Sequence, residues 1–286
     1  MKIGIIGATG VLGRALLPLL SEQGHIVRAL ARSPEKVVVS GSVEPIHYDL
    51  LAPDDTGRLR TFLAGCEAVL HMATAIPSNF EAPGAWDADI RLRTDGTRRL
   101  LDAALAVGAK LYVQQSIVMA YQDGGDNWLD ETVPLDPARQ TIITMEGMVR
   151  ATAPDNMVWC ILRGGLFVGP NTFQDRAIAR LRAGQERVAC DGSNFFSPIH
   201  VADMATAVAA TVQHRPTGAI FNIVDEPIRE GEYRDRLAAL IGAPTPPRDL
   251  SVPCPPSYRC SNQAARRALN WMPTHSIWPM AEDAKV

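Results

Sequence analysis

Lysine is nearly missing from this chain. Its 286 residues hold only Lys2, Lys36, Lys110 and Lys285, and no tyrosine is followed four residues later by a lysine. Long hydrophobic runs are missing too: none approaches ~18 residues, so no transmembrane helix is expected. Neither sign of charge dominates, with 28 basic and 31 acidic side chains giving a formal net charge of -3. That balance gives no reason to expect nucleic acid or an anionic membrane as a partner. The five cysteines, Cys66, Cys160, Cys190, Cys254 and Cys260, show no CxxC and no ligand-like spacing. A disulfide or a zinc site is therefore weakly supported, and no metal is expected. The first apolar run begins at residue 2 and leaves no space for a signal peptide. Together these absences lead to the expectation of a soluble protein in a reducing cytoplasm. A hydrophobic content of 47% is that of an ordinary globular chain with material for a core.

What is present begins at once. Lys2 to Ile6 is a short apolar run, long enough for a buried strand and too short for a helix. Gly7, Gly10 and Gly13 come directly after it, with Thr9 inside the turn. Val11 and Leu12 then open a segment with apolar residues at helical spacing as far as Leu20. Strand, glycine turn and helix form the context in which such glycines bind a dinucleotide. Gly7 permits the tight turn, Gly10 leaves room for a pyrophosphate, and Gly13 lets helix pack closely on strand. The helix then presents free N–H groups and the positive end of its dipole to the phosphates. The plain alternative is a glycine-rich turn that binds nothing, and the complete βαβ pattern argues against it.

His25 to Ala31 reads as the second strand. An acidic residue at its end would bind the ribose hydroxyls of NAD, and none is there. The strand carries Arg28 and ends in Arg32 and Ser33, with Lys36 close behind. A guanidinium at that point suits a 2′-phosphate through charge-assisted hydrogen bonds, so NADP is the expected cofactor. Further strands are expected at Val43 to Tyr48, Glu67 to Thr74, Leu111 to Ser116 and Trp159 to Gly165. Helices are expected at Gly57 to Ala64 and, as one long amphipathic element, at Trp86 to Val107. Ile90, Leu100, Leu101 and Leu105 are the candidate inner face of that long helix. His71, inside the fourth strand, reads as a packed core histidine. Alternation of strand and helix builds a parallel sheet with ligands at the carboxyl ends of its strands.

The GxxGxxG spacing resembles the extended and atypical branches of the short-chain dehydrogenase/reductase family, which include epimerase/dehydratase-like members. LRGGLFVGP (Leu162 to Pro170), SPIHVADMATAV (Ser197 to Val208), GAIFNIVDE (Gly218 to Glu226) and ALNW (Ala268 to Trp271) extend the likeness over nearly the whole chain. The resemblance implies an α/β fold: a Rossmann-type doubly wound parallel sheet with a smaller C-terminal substrate lobe. The expected division is 1–165 for the NADP-binding domain, with segments near 197–225 returning to it, and 166–286 mainly for the substrate lobe. It also implies that Asp49 and Leu50 meet the adenine and that Ala73, Thr74 and Ala75 pass beside the cofactor. Dimerisation through the Trp86 to Val107 helix and its neighbour near Glu146 is a further possibility the family suggests. Arg93 before Gly96-Thr97, where the family usually carries Asn, is a departure.

A larger departure concerns the chemistry. The family's mechanism uses a Tyr, a Lys four residues later and a Ser or Thr on the preceding strand, the Lys lowering the Tyr pKa for proton exchange near neutral pH. Counting back from Glu146 puts Ile142 at the Lys position and Ala138 at the Tyr position. With no lysine between Lys110 and Lys285, the dyad cannot form there. Ser116, at the end of the fifth strand, and Tyr121, at the head of the loop to Trp128, remain as candidate catalytic hydroxyls. Tyr121 with an unshifted pKa near ~10 would be a slow acid at pH 7. His200 resembles the histidine of the family's HVxD segment, with Asp203 starting a helix, a pairing that more often braces than reacts. The expected function is an NADP(H)-dependent oxidoreductase acting on a small carbonyl-type substrate. A non-catalytic sensor of the NADPH/NADP ratio is the alternative, and a sugar-nucleotide epimerase is weaker because it needs the absent Tyr. Pocket residues are expected from Asn79 to Trp86, Tyr121 to Trp128, Phe167 to Phe173 and Phe195-Phe196.

Overall fold

A computed structural model describes residues 1–53, 56–152 and 157–279. The chain forms two compact units, each assembled from three separate stretches. The first takes Met1–Ser116, Pro137–Leu162 and Ala205–Phe221, and the second takes Ile117–Asp136, Arg163–Met204 and the chain from Asn222 on. No helix of the described residues is long and apolar enough to cross a membrane.

The first unit is built on strands β1 (Lys2–Ile6), β2 (Ile26–Ala31), β3 (Val43–His47), β4 (Ala68–His71) and β5 (Leu111–Ile117). Two more strands, β6 (Val158–Gly164) and β7 (Ala219–Ile223), complete a seven-stranded parallel sheet in the order β7-β6-β5-β4-β1-β2-β3. The last residues of β5, β6 and β7 run on into the second unit. Helices α1 (Val11–Glu22), α2 (Thr56–Leu63), α3 (Asp87–Arg91), α4 (Thr97–Ala106) and α5 (Gln140–Arg150) connect these strands. In α1, Leu12, Leu16, Leu17 and Leu20 are buried, the spacing of one helical face. Leu59, Leu63, Leu100, Tyr112 and Ile161 belong to one buried apolar cluster of this unit.

The expected single helix from Trp86 to Val107 is interrupted. A π-helical turn, Leu92–Gly96, separates α3 from α4. Leu100 and Leu101 are buried as expected, but Ile90 and Leu105 are exposed. A π turn inserts one residue into the helical repeat and rotates α3 by ~100° relative to α4, which carries Ile90 off the inner face. Leu105 stands one residue past the buried Ala104, on the open side of the last turn.

His71 is fully buried, as expected, and neither ring nitrogen has a hydrogen bond of good geometry. Burial first, and then the Arg93 guanidinium, push its pKa down from 6.5 to about 4. Asp89 and the backbone nearby oppose the shift without overcoming it. The folded chain thus resists a proton that the unfolded chain accepts below pH 6.5. The His71 contribution is nil above that value and turns against folding as the pH falls towards 4.

In the second unit, helices α6 (Phe173–Arg182) and α8 (Glu230–Leu240) share a core containing Ile178, Leu181, Tyr233 and Leu237. Between α6 and α8 runs α7 (Val201–His214), whose first residues belong to this unit. Short strand pairs surround the core: Leu166–Val168 with Pro198–His200, Phe195–Phe196 with Ile228–Arg229, and Val188–Ala189 with Arg248–Asp249. Asp203 accepts from His275 at 2.7 Å, and His200 stacks on the same ring with centroids 5.0 Å apart. A disulfide joins Cys190 to Cys254, with Cα atoms 5.0 Å apart. This corrects the expectation from cysteine spacing, because residues 64 apart in sequence become neighbours only through the fold. Cys66, Cys160 and Cys260 are free and buried.

These arrangements lead to two expected outcomes. Between pH 7 and pH 5 the buried His71 should lower unfolding stability by about 2 kcal/mol, and His71→Phe should flatten that acid limb in urea titrations; an unchanged limb would remove His71 as its cause. Iodoacetamide should label essentially none of the five cysteines in the native protein, and Cys254, which is exposed, should label first after mild reduction. Rapid labelling of Cys254 without reductant would show that the link does not form.

Candidate cofactor-binding and catalytic site

The glycine turn is fixed from both sides. Gly7 has φ +98°, and a β-carbon on it would stand 2.6 Å from the backbone of Met72 and Ala73. A β-carbon on Gly13 would overlap the Gly7 carbonyl oxygen. Both glycines are therefore demanded by the chain's own packing. Gly10 is different: a β-carbon there would meet only the Gly7 oxygen, at 3.3 Å. The space above Gly10 is open, and what glycine preserves there is room for something outside the chain.

Gly10 caps α1 with extended backbone and no side-chain cap, and the first turn contains no acidic residue. The Gly10 N–H donates to Gly7 O at 3.1 Å, and Arg14 N–H to Gly10 O at 3.0 Å. The N–H groups of Val11, Leu12 and Gly13 have no acceptor among the described residues. Three free donors at the positive end of a helix dipole, over an open floor, fit a pyrophosphate. Arg14 Nε steadies the turn by donating to Thr9 O at 3.1 Å.

At the end of β2 the predicted basic residues separate. Arg28 is committed within the sheet: it donates to Phe62 O at 2.8 Å and Ala64 O at 3.1 Å and pairs with Glu44 at 3.3 Å. It closes the end of α2 and is not available to a phosphate, which corrects that part of the expectation. Arg32 is exposed and has no hydrogen bond or ion pair among the described residues, and Ser33 is half-buried beside it. Asp49 turns the chain after β3 by accepting from Leu51 N–H at 2.9 Å, with Leu50 buried. After β4, Ala73 and Ala75 are half-buried and Thr74 is exposed. The Ala75 N–H donates to Asp89 at 2.9 Å, and Arg93 closes on the same carboxylate at 2.6 Å. Arg93 thus fills the departed Asn position with a buried ion pair whose i, i+4 spacing is legible in sequence.

The candidate catalytic residues lie in different units. Ser116 is fully buried in the first, and its hydroxyl donates to the Glu146 carboxylate at 2.6 Å. Ile142, at the family's Lys position, is buried aliphatic surface on the same helix α5. Tyr121, in the second unit, is buried, donates to Asn222 at 2.9 Å and accepts from Arg163 at 2.7 Å. Burial pushes its phenol well above 10, and Arg163 and Asn222 recover only part of the shift. The expected unshifted phenol is not found. Glu146, Arg163 and Asn222 were missed as functional partners. Arg163 left a signal, a charge inside the apolar run of β6, whereas Asn222 lies 101 residues from Tyr121 and left none.

The two kinds of glycine should separate by experiment. Gly10→Ala should keep the far-ultraviolet circular dichroism and melting temperature near wild type while weakening dinucleotide binding at least about tenfold. Gly13→Ala should lose stability itself by about 1–3 kcal/mol through overpacking. Full binding by a folded Gly10→Ala protein would put the phosphates elsewhere.

Residues 3–224 match the profile of the NAD dependent epimerase/dehydratase family. A 3-diazoavenalumate denitrifying reductase from a Streptomyces species is 32% identical, with the alignment covering 97% of this chain and 98% of that protein. A 2-alkyl-3-oxoalkanoate reductase from Stenotrophomonas maltophilia is 28% identical over 88% of this chain and 79% of the relative. Among solved structures, UDP-glucuronic acid 4-epimerase from Bacillus cereus, in complex with UDP-glucuronic acid and NAD, superposes with a TM-score of 0.81. It covers 100% of this chain and 97% of the epimerase at 18% identity, a likeness of fold alone. The reductases among its relatives support an oxidoreductase, and by profile, length and fold this chain belongs to the NAD dependent epimerase/dehydratase family.

Proposed function

We propose that this chain is an NADP(H)-dependent reductase of a small organic substrate, to which it gives no proton from a side chain of its own. The observation that carries this reading is that each candidate donor is already committed. Ala138 and Ile142 occupy the dyad positions, Ser116 gives its hydroxyl proton to Glu146, and Tyr121 gives its own to Asn222. When bound, the nicotinamide supplies a hydride. The turn from Gly7 through Thr9 and Gly10 to Gly13, with the N–H groups of Val11 and Leu12, is assigned to the pyrophosphate. Arg32 and Ser33 are assigned to the 2′-phosphate, Asp49 and Leu50 to the adenine, and Ala73, Thr74 and Ala75 to the flank of the dinucleotide. The first unit then holds the cofactor and the second the substrate.

Two acceptors ask no acid of the protein. A small carbonyl compound takes its proton from water. An arenediazonium takes none, because its C–N bond breaks with the electron pair leaving on dinitrogen while hydride forms the C–H bond. The Streptomyces relative, named for denitrifying reduction of a diazo compound, favours the second. A sensor of the NADPH/NADP ratio is the rival reading, favoured by the same lack of a free acid.

NADPH should bind at least about tenfold more tightly than NADH, about 1.4 kcal/mol by calorimetry, and Arg32→Ala should erase most of the difference. Turnover is followed as NADPH oxidation against carbonyl and arenediazonium panels, with dinitrogen release in the latter. Tyr121→Phe should retain turnover per folded molecule while losing about 1–3 kcal/mol of stability. A loss of ~10²-fold or more in a folded Tyr121→Phe protein would restore Tyr121 as the acid. No oxidation with either panel, together with a partner that distinguishes NADPH from NADP, would establish the sensor.

A further inference from the structure

Among the described residues, Cys190, Asp191 and Cys254 are the one group of three potential metal ligands whose donor atoms all lie within 4.8 Å of one another. In the oxidised chain the two sulfurs are joined. We propose that reduction of this link opens a site for one thiophilic divalent cation of the zinc class, held by the two thiolates and the Asp191 carboxylate with water in the fourth position. The proposal is independent of the reductase reading.

Geometry carries it. Asp191 Oδ1 stands 3.0 Å from Cys190 Sγ and 3.9 Å from Cys254 Sγ. Bond lengths of about 2.3 Å to sulfur and about 2.1 Å to oxygen place a sulfur and an oxygen on one tetrahedral zinc about 3.6 Å apart. The two observed distances bracket that value. The sulfurs themselves need about 3.8 Å, a separation open to reduced side chains whose Cα atoms are 5.0 Å apart. Cys190 and Asp191 are neighbours in the chain, and in a strand their side chains would face opposite ways. Cys190 follows the strand Val188–Ala189 with φ +49°, a left-handed conformation that non-glycine residues adopt at a cost. That turn brings the two adjacent donors to one point.

The second observation is that the carboxylate is both reachable and uncommitted. Asp191 and Cys254 are exposed, so an ion meets them directly from solvent. Asp191 accepts from Ser193 and forms no ion pair among the described residues. Arg248 and Arg229 donate to main-chain oxygens of the same turn, those of Asp191 and Ser193. Their ion pairs are made with Asp235 at 2.7 Å and Asp126 at 3.0 Å, which leaves the Asp191 carboxylate to a cation. In the opening step a dithiol reductant gives two electrons and two protons to the S–S bond and closes its own disulfide. The cation then displaces both thiol protons to water as the two metal–sulfur bonds form. Cys254 is followed by Pro255 and Pro256, which line a cavity of about 130 Å³ walled also by Phe173, Phe196 and Tyr258. Phe173 and Phe196 fall in stretches the sequence nominated for a pocket. Beside that cavity the metal renews, across the same two sulfurs, the tie that reduction removes.

The experiment is a cobalt(II) titration of the intact protein, oxidised and after reduction with a phosphine that is removed before the metal is added. The reduced protein should take up one equivalent with a thiolate-to-cobalt charge-transfer band, zinc(II) should abolish that band by displacement, and the oxidised protein should show none. Cys254→Ala should lose the band, because the remaining Cys66, Cys160 and Cys260 are buried. Asp191→Asn should weaken cobalt binding at least about tenfold. A reduced wild-type protein without the band would overturn the proposal, and that result needs no variant. The same band in Cys254→Ala, or unchanged affinity in Asp191→Asn, would overturn it too.

Discussion

Among the glycines of the first unit the tightest fit is at Gly13, where strand β1 gives way to helix α1 and a β-carbon would overlap the Gly7 carbonyl oxygen. That contact sets where the helix begins, and so where its unpaired N–H groups point. On the other side, Gly7 is pressed against the chain leaving β4, which sets the position of Ala73 to Ala75. One steric constraint thus aligns two of the segments assigned to the dinucleotide. It also separates the glycines that packing demands from Gly10, which has open space and is assigned to the pyrophosphate, a distinction the GxxGxxG pattern itself does not make.

The candidate hydroxyls of both units are engaged in hydrogen bonds. Ser116 and Glu146 share one between buried partners, and Tyr121 is bound between a cation and an amide. Each is a satisfied hydrogen bond in low dielectric, which rigidifies the interior. Breaking either one to protonate a substrate would leave a buried group without its partner, at a cost of about 1–3 kcal/mol. Ser116 and Tyr121 stand near the places where the resemblance puts the family's hydroxyls, and each is engaged in a hydrogen bond inside the protein.

The strands and the glycine turn were legible because their signals are local. Lys2 to Ile6 is apolar, its glycines come at once, and six of the seven sheet strands could be placed within two or three residues at their ends. Interrupted or distant features were not legible. The π turn at Leu92–Gly96 carries no composition of its own, so Ile90 looked as inward-facing as Leu101. Arg28 looked like a phosphate ligand because nothing near it in sequence shows the α2 carbonyls it closes on. Tyr121 looked free because Arg163 and Asn222 are remote in the chain. Sequence order conveyed which residues exist at the strand ends; only packing showed which of them are already spoken for.

The link between Cys190 and Cys254 closes a loop of 64 residues, which in the chain-entropy model disfavours the unfolded state by about 4 kcal/mol. Both sulfurs belong to the unit that contains the aromatic cavity, and Pro255 and Pro256, directly after Cys254, line it. The unit carrying the glycine turn has no such tie. The cellular thiol–disulfide balance therefore enters the stability of one half of the molecule and not the other. In a reducing compartment only the half with the cavity would lose that contribution.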